Sequence, residues 1–386
     1  MSATLQSIER YEVISSESAF AELSGGWDDL VRAAPRPSPF LLHGWLLEWL
    51  RHYGGASELA VQTAFRDGGL VGAFPLLHKS WGGLRVARFL GGQHTSLADL
   101  LLASGEAATT GAALVERASS EHDFAELFGL VRDSCLAQVA GPGQLHLFHR
   151  VDAPVLELAG DWDAVYRAKV SGKGRRDIQR RRRQLEEHGA LEFAVARAPE
   201  DVERALPDAF RLHELRWQGR DEISGFATPT GIGFHRAALG RLAVQDVVRL
   251  ATMSVGGQTI AFLLAFALAG RLYLYRMAFD ASFARSGPGL LTVLETIASG
   301  AGEGLKRVEF LGGAESFKLR LADRLEPLHL GVGLPGTARG RAAVRTRAGA
   351  LRLRERLKDS PTVRRAYDSA KPLRTRLTRQ KDAMRI

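Results

Sequence analysis

The sequence predicts an α/β protein of two successive halves, each a mixed, mostly antiparallel sheet flanked by helices, followed by a basic helical tail. Three observations carry this. First, a hairpin pattern occurs twice: FRDGGLVGAFPLL at residues 65–77 and MSVGGQTIAFLLAF at residues 253–266. At an offset of 188, Gly68-Gly69 falls on Gly256-Gly257 and Ala73-Phe74 on Ala261-Phe262. In both, the second strand is almost wholly apolar, as a strand buried on both faces requires. Second, residues 251–320 run strand, strand, strand, glycine turn, helix, strand. Third, charge is segregated. The chain carries +9, but residues 337–386 hold sixteen Lys and Arg against four Asp and Glu, or +12, which leaves −3 for the rest. The body is nearly neutral and the tail alone is basic.

With 386 residues the chain has room for two ordinary domains. The boundaries read as 1–152, 153–336 and a tail at 337–386. A single cysteine, Cys135, excludes an internal disulfide and a cysteine-cluster metal site, and it reads as a small buried hydrophobe. The start, MSATLQSIERYEV, lacks the basic-then-apolar pattern of a secretory signal. The longest apolar run, residues 260–269, is too short to cross a bilayer. The expectation is a soluble, cytoplasmic protein.

In the first half, Trp45, Leu46, Trp49 and Leu50 recur at helical spacing. Strands follow near residues 59–65, 69–78 and 86–89, then a helix at 105–116 and strands at 125–130 and 144–149. Residues 149–154 read as the crossing between halves. No glycine turn heads the helix of this half; GQHTSL offers His94, Thr95 and Ser96 instead, so cofactor binding is not expected there.

The second half opens on a helix at 173–188 with seven basic residues between Lys173 and Arg183. It reads equally as a solvated face and as a seat for an anionic cofactor or acceptor. Nucleic acid is disfavoured, because no stacking aromatics interleave with the charges. His213 and Trp217 share a face of a later helix by their i, i+4 spacing. The stretch TPTGIGFH, ending at His235, reads as a mobile lid. The strands ATMSVGG, QTIAFLLAFALAG and RLYLYRMAFD lead into ARSGPG, which opens the helix LLTVLETIASGAGEG. At such a helix mouth the first amides are unpaired and the dipole favours negative charge. Gly287 and Gly289 remove side-chain bulk, so a pyrophosphate can approach the backbone.

The order of these segments resembles the GNAT acyltransferase superfamily, in particular its CelD-like, cellulose-biosynthesis branch. The matching residues are Gly257, Ala261-Phe262, Tyr273, Tyr275, Phe279-Asp280, the run Ser286-Gly287-Pro288-Gly289-Leu290-Leu291, Glu309-Phe310-Leu311-Gly312-Gly313, Glu315, Phe317 and Lys318. The resemblance reaches back through residues 175–183 and His213-Glu214-Leu215-Arg216-Trp217. It implies tandem GNAT-like domains and an acyl-CoA, acetyl-CoA being the simplest, as co-substrate without a metal. The cofactor-facing edge it implies is Met277, Ala278 and Phe279, and the pyrophosphate turn is Arg285, Ser286, Gly287, Gly289 and Leu290. The usual Gln/Arg-x-x-Gly-x-Gly/Ala turn is not fully kept: Ala284 stands first, and Pro288 removes one amide donor.

Three residues are candidates for the chemistry. Glu309 is a base if burial raises its pKa, or a structural partner of Arg276 or another cation. His213 is a second base candidate. Lys318 follows Phe317 as in the distantly similar FemAB-like peptidyl transferases, where that pair stabilises charge; the alternative reading is a solvated surface lysine. The implied acceptor is an amine or hydroxyl of a sugar, amino acid or polysaccharide precursor. Two alternatives stand beside this: an aminoacyl-tRNA donor, the only setting in which nucleic acid enters, and a non-catalytic scaffold. The tail reads as a solvated helix, or as a means of recruitment to an anionic surface at the inner face of the membrane.

Overall fold

The computed structural model describes residues 8, 10–106, 108–141, 143–158, 160–218, 225–313 and 315–359. Up to residue 158 the strands are β1 (Arg10–Ile14), β2 (Glu58–Leu59), β3 (Val61–Arg66), β4 (Gly69–Phe74), β5 (Leu76–Trp81), β6 (Leu84–Phe89), β7 (Leu101–Leu102), β8 (Phe124–Leu130) and β9 (Leu145–Glu157). The helices there are α1 (Glu17–Ala21), α2 (Ser24–Ala33), α3 (His43–Tyr53), α4 (Ala108–Ser120) and α5 (Cys135–Val139). Then follow α6 (Trp162–Lys169), α7 (Gly172–Glu186), β10 (Leu191–Ala196), α8 (Pro199–Trp217), α9 (Pro229–Val244), β11 (Val248–Val255), β12 (Gln258–Leu268), β13 (Arg271–Phe279), α10 (Pro288–Gly302), β14 (Arg307–Glu309), α11 (Ser316–Leu321), β15 (Arg324–Gly333) and α12 (Ala338–Asp359).

The two hairpins foreseen from the sequence are built alike. Asp67-Gly68 and Gly256-Gly257 all have positive φ, the two-residue turn that matches strand twist. Each hairpin also carries a bulge close to its turn, at Ala64/Phe65 and at Met253/Ser254. Each half then places a helix between two parallel strands: α4 between β6 and β8, α10 between β13 and β14. The halves are thus two copies of one topology, tandem GNAT-like units of mostly antiparallel sheet flanked by helices.

They are joined by exchanging strands. Eleven strands form one sheet in the order β10-β11-β12-β13-β14-β9-β15-β8-β6-β5-β2, and β1-β3-β4-β7 form a second. Strand β9 follows β8 in the chain yet pairs with β14, while β15 follows β14 and pairs with β8. At the centre β9 and β15 pair with each other along the whole of β15. The segment expected as a crossing at 149–154 is therefore the middle of a continuous strand.

Apolar packing locks the halves further. Phe40 and Trp45 of the first half meet Phe266 and Tyr275 of the second with ring centroids 5.3–5.7 Å apart. Phe40, Trp45 and Phe266 are fully buried, and each such phenylalanine contributes roughly 1.5–3 kcal/mol. The tail helix lays Val344, Ala348 and Leu351 on Val86, Phe124 and Val332. Asp123 anchors its start, accepting from Thr337 Oγ1 at 2.6 Å and Arg339 Nε at 2.8 Å. Tail residues 360–386 lie outside the described residues.

Two local expectations change. The helix read at 105–116 forms later, at Ala108–Ser120. The supposed lid is the first turns of α9: Thr228 caps it by accepting from Gly231 N at 3.1 Å, Pro229 takes the first turn, and His235 is fully buried.

Candidate active site

Strands β13 and β14 pair only where Arg271, Leu272 and Tyr273 face Arg307, Val308 and Glu309. Beyond that point they diverge. A bulge between Leu264 and Ala265 of β12 leaves Tyr275 as an extra residue on β13 where the divergence begins. The opening holds a cavity of about 170 Å³ lined by Leu274, Tyr275, Arg276, Phe310, Lys318 and, from the first half, Ser96. Leu311 on its wall has φ 57°, a left-handed conformation that costs a β-carbon-bearing residue about 1 kcal/mol or more. Its neighbours are pinned: Phe310 N donates to Pro154 O at 3.0 Å and Gly313 N to Asp152 O at 3.2 Å.

The glycine turn abuts the same strand. Gly287 has φ 58° and caps α10, with Pro288 at its first position. The amides of Leu290 and Leu291 both return to the Gly287 carbonyl, which leaves Gly289 as the first-turn amide outside that pair. A β-carbon on Gly289 would lie 2.8 Å from Phe279 Cδ1 and 2.9 Å from Met277 Cε. On Gly287 it would lie 2.6 Å from Arg181 Nη1. Gly289 is thus required by close approach to the Phe279 ring, and Gly287 by its φ. A basic guanidinium overhangs the positive end of α10.

That guanidinium comes from α7, whose cations divide between two settings. Arg181 is steadied by Asp177 at 2.7 Å and lies over the turn, and Arg182 pairs with Glu295 of α10. Arg176, Arg180 and Arg183 line a separate outer groove. Of the remaining turn residues, Ser286 is buried, Leu290 packs against the core beneath β13, and Arg285 is exposed. Along the strand edge, Arg216 of α8 donates to the Met277 carbonyl at 2.8 Å. The backbone edge at 277–279 is therefore partly engaged by a side chain of the chain itself.

The three chemical candidates separate. Lys318 lines the cavity with its side chain 12% exposed, so it is not a solvated surface lysine. Its Nζ is 3.0 Å from Glu315 Oε2 and 3.5 Å from the Gly312 carbonyl. Burial works against ionisation of Glu315, but the Lys318 hydrogen bond and the nearby Arg216 charge hold its carboxyl below the ordinary range.

Glu309 does not join Lys318. It is fully buried on another side of β14, where Arg307 Nε (2.8 Å), Arg271 Nη1 (3.3 Å) and Arg36 Nη2 (3.4 Å) surround it. Arg36 and Arg307 also hold Glu326. The base expected at Glu309 is corrected to a charge clamp between halves, and its partners are these three arginines rather than Arg276.

His213 is buried against Phe226, with ring centroids 4.8 Å apart, and stacks on Trp217. Burial, then the charges of Arg276 and Arg216, push its imidazole down to about 4. It is neutral at pH 7 but a weak base, and it is not among the residues lining the cavity. His94 and His235 share this setting, at about 4 and about 3, each lowered mainly by burial. Burial likewise pushes the Cys135 thiol up to about 12, which removes it as a nucleophile.

The sequence marks the helix at 173–188 as a possible anion seat without singling out Arg181, and it assigns no place in the site to Arg216 or Arg276. Each reaches the site from a residue whose local pattern says only "charged helix" or "strand". No group of three or more metal-ligating side chains occurs among the described residues.

A strand split with a glycine-headed helix against it is the arrangement expected of a GNAT-like fold from the sequence, and here a cation lies above the turn. Residues 172–319 match the family model described as an acetyltransferase (GNAT) domain. The fold of the whole is similar to that of FemX, with TM-score 0.60 and 11% identity over 84% of this chain and 97% of that one. It is also similar to a conserved protein of unknown function from Bacteroides thetaiotaomicron, with TM-score 0.56 and 12% identity over 83% and 100%. L-PGS from Bacillus licheniformis gives TM-score 0.53 and 14% identity over 88% and 96%. No curated protein sequence matches.

Proposed function

We propose that the chain transfers an acyl group, acetyl being the simplest, from acyl-CoA to an amine or hydroxyl of a sugar, amino acid or polysaccharide precursor. The observation that carries this reading is the Gly287–Gly289 turn pressed against residues 277–279 with Arg181 above it. An acyl-CoA pyrophosphate fits there: the turn has no side-chain bulk, the helix end is positive, and the one overhanging side chain is cationic. Residues 285–290 and Arg181 hold the phosphates, and Met277, Ala278 and Phe279 orient the pantetheine arm toward the cavity. The co-substrate supplies an activated carbonyl; Lys318 faces the place where negative charge develops as the acceptor attacks. Holding both reactants in line contributes several kcal/mol, which lowers the demand for a strong base.

Calorimetry with acetyl-CoA on wild type, Gly287→Trp and Arg181→Ala tests the reading. Wild type should bind, Gly287→Trp should not, and Arg181→Ala should weaken binding about tenfold. Equal binding by all three would place the pyrophosphate elsewhere. Wild type failing to bind acetyl-CoA while it transfers from an aminoacyl-tRNA, in a reaction abolished by RNase, would favour the FemAB-like donor.

The same protein is proposed to work at an anionic membrane surface, through the outward face of α12. Leu353 and Leu357 are exposed there, 58% and 47%, between flanking arginines. No helix among the described residues is long and apolar enough to cross a membrane, so this contact is peripheral.

A further inference from the structure

Several arginines that reach inside this molecule have counter-ions. Arg36, Arg271 and Arg307 surround Glu309 and Glu326. Arg249, nearly buried, is held by Glu303 at 2.7 Å and Asp246 at 3.1 Å. Arg241 reaches Glu48 at 2.6 Å.

Arg276 is different. It lines the cavity between the splayed strands, and among the described residues no carboxylate lies within 4 Å of it. Its Nε is buried without a hydrogen-bond partner, and its guanidinium rests over the Tyr275 ring at 4.9 Å. The ionisable groups around it add no negative charge. His94, His213 and His235 are buried rings that its own positive charge helps to keep neutral. Glu315, the carboxylate beside the cavity's own Lys318, is committed to that lysine. A partly buried guanidinium without a counter-ion is costly, and the cost is offset when an oxyanion arrives.

The rest of the lining agrees. Ser96 adds a hydroxyl from the first half and Lys318 an ammonium, while Leu274, Phe310 and Leu328 make an apolar wall. A few convergent donors in an apolar hollow are the pattern of a small-molecule site. At about 170 Å³ the space suits a head group, not a whole ligand. Guanidinium geometry matches a carboxylate or a phosphate by paired hydrogen bonds.

We propose that this cavity is the anchoring site for an oxyanion carried by the acceptor, with Arg276 as its counter-ion and Ser96 as a further donor. The acceptor is then an anionic amine or alcohol, such as an amino acid or a phosphorylated sugar, and it is held by both halves at once. This rests on the acyltransferase reading only for the word acceptor; the anion site stands or falls by itself.

The test uses the full chain and three small probes of like size, propionate, methylphosphonate and propionamide, with binding read by saturation-transfer NMR. The expected result is binding of at least one oxyanion and none of the neutral amide, with the tighter anion distinguishing a carboxylate from a phosphate. Arg276→Gln should weaken the anion at least tenfold, and Arg276→Lys should retain part of the affinity. Ser96→Phe fills the cavity without removing a charge, and it should also abolish binding. Equal binding of propionate and propionamide to wild type, or anion binding unchanged by both Arg276→Gln and Ser96→Phe, overturns the proposal. Acetyl-CoA calorimetry run in parallel separates the two readings. Acetyl-CoA binding without anion binding sinks this inference alone, and the reverse sinks only the acyltransferase reading.

Discussion

Glu309 shows how a residue's role depends on partners distant in sequence. Read along the chain, it is a carboxylate on the strand after the cofactor helix, where a base is plausible. In the fold it touches Arg36, 273 positions away, and its oxygens are shared among three guanidinium groups. Removing one member of a buried ionic cluster leaves the others uncompensated, typically at a cost of about 3–5 kcal/mol. Glu309→Gln should therefore lower the urea midpoint at an unchanged slope, while acetyl-CoA affinity of the folded protein stays near wild type. Loss of turnover with full stability would instead restore Glu309 as a base. The placing of Lys318 and of the two glycines beside the strand split was legible because its signal is local: a Phe-Lys pair, and a turn between strand and helix. Arg276 was not, because a strand arginine carries no mark of whether a carboxylate will meet it.

At the scale of elements, apolar runs located β11, β12, β13 and β14 and glycine pairs located both hairpins, but neither β10 nor the ten-residue β15 was read from the sequence. Helix α9 was missed for a definable reason. Its cap, Thr228-Pro229, is a standard start signal, but Gly231 and Gly233 directly behind it have low helix propensity and imitate a loop. The tail helix was legible in charge but not in orientation. Between residues 338 and 357 it has seven arginines and one glutamate, and it is apolar on two faces. The inner face, at Val344, Ala348 and Leu351, packs on the sheet; the outer carries Leu353 and Leu357 between Arg352, Arg354 and Arg356. A helix with exposed leucines bordered by arginines suits an anionic lipid surface. The full chain should co-sediment with vesicles of phosphatidylglycerol and phosphatidylcholine but not with phosphatidylcholine alone. Leu353→Glu with Leu357→Glu should weaken that binding at least tenfold and leave the fold intact, since neither leucine packs inward. Vesicle binding unaffected by the pair, or lost equally on adding RNA, would assign the charge to another partner.

For the whole molecule, the repeat was legible but the exchange was not, because pairing partners leave no trace in periodicity. A boundary near residue 152 looks natural in a chain with two similar halves. Yet β9 serves the sheet of the second half and β15 that of the first, and the two run side by side across the middle. Arg36 with Glu309, Glu48 with Arg241 and Asp28 with Gln245 add polar ties between the halves. Each half alone would present unpaired strand edges where the other half's strand belongs, a template for aggregation. Cleaving the chain in the exposed loop at residue 160 tests this. Fragments 1–159 and 160–386, co-expressed, should copurify as one folded complex that survives dilution, with the cooperative melting of the intact chain. Expressed singly, each should aggregate, or dimerise by pairing its open edge with a second copy. Two monomeric fragments that fold alone and ignore each other would mean that β9 can close on β8 and β15 on β14. The exchange would then be a choice of connection rather than a requirement of the fold. The cavity at Arg276 gives this outcome a functional consequence. Ser96 and Arg276 come from opposite sides of the cut, so the oxyanion site should appear in the complex and in neither fragment.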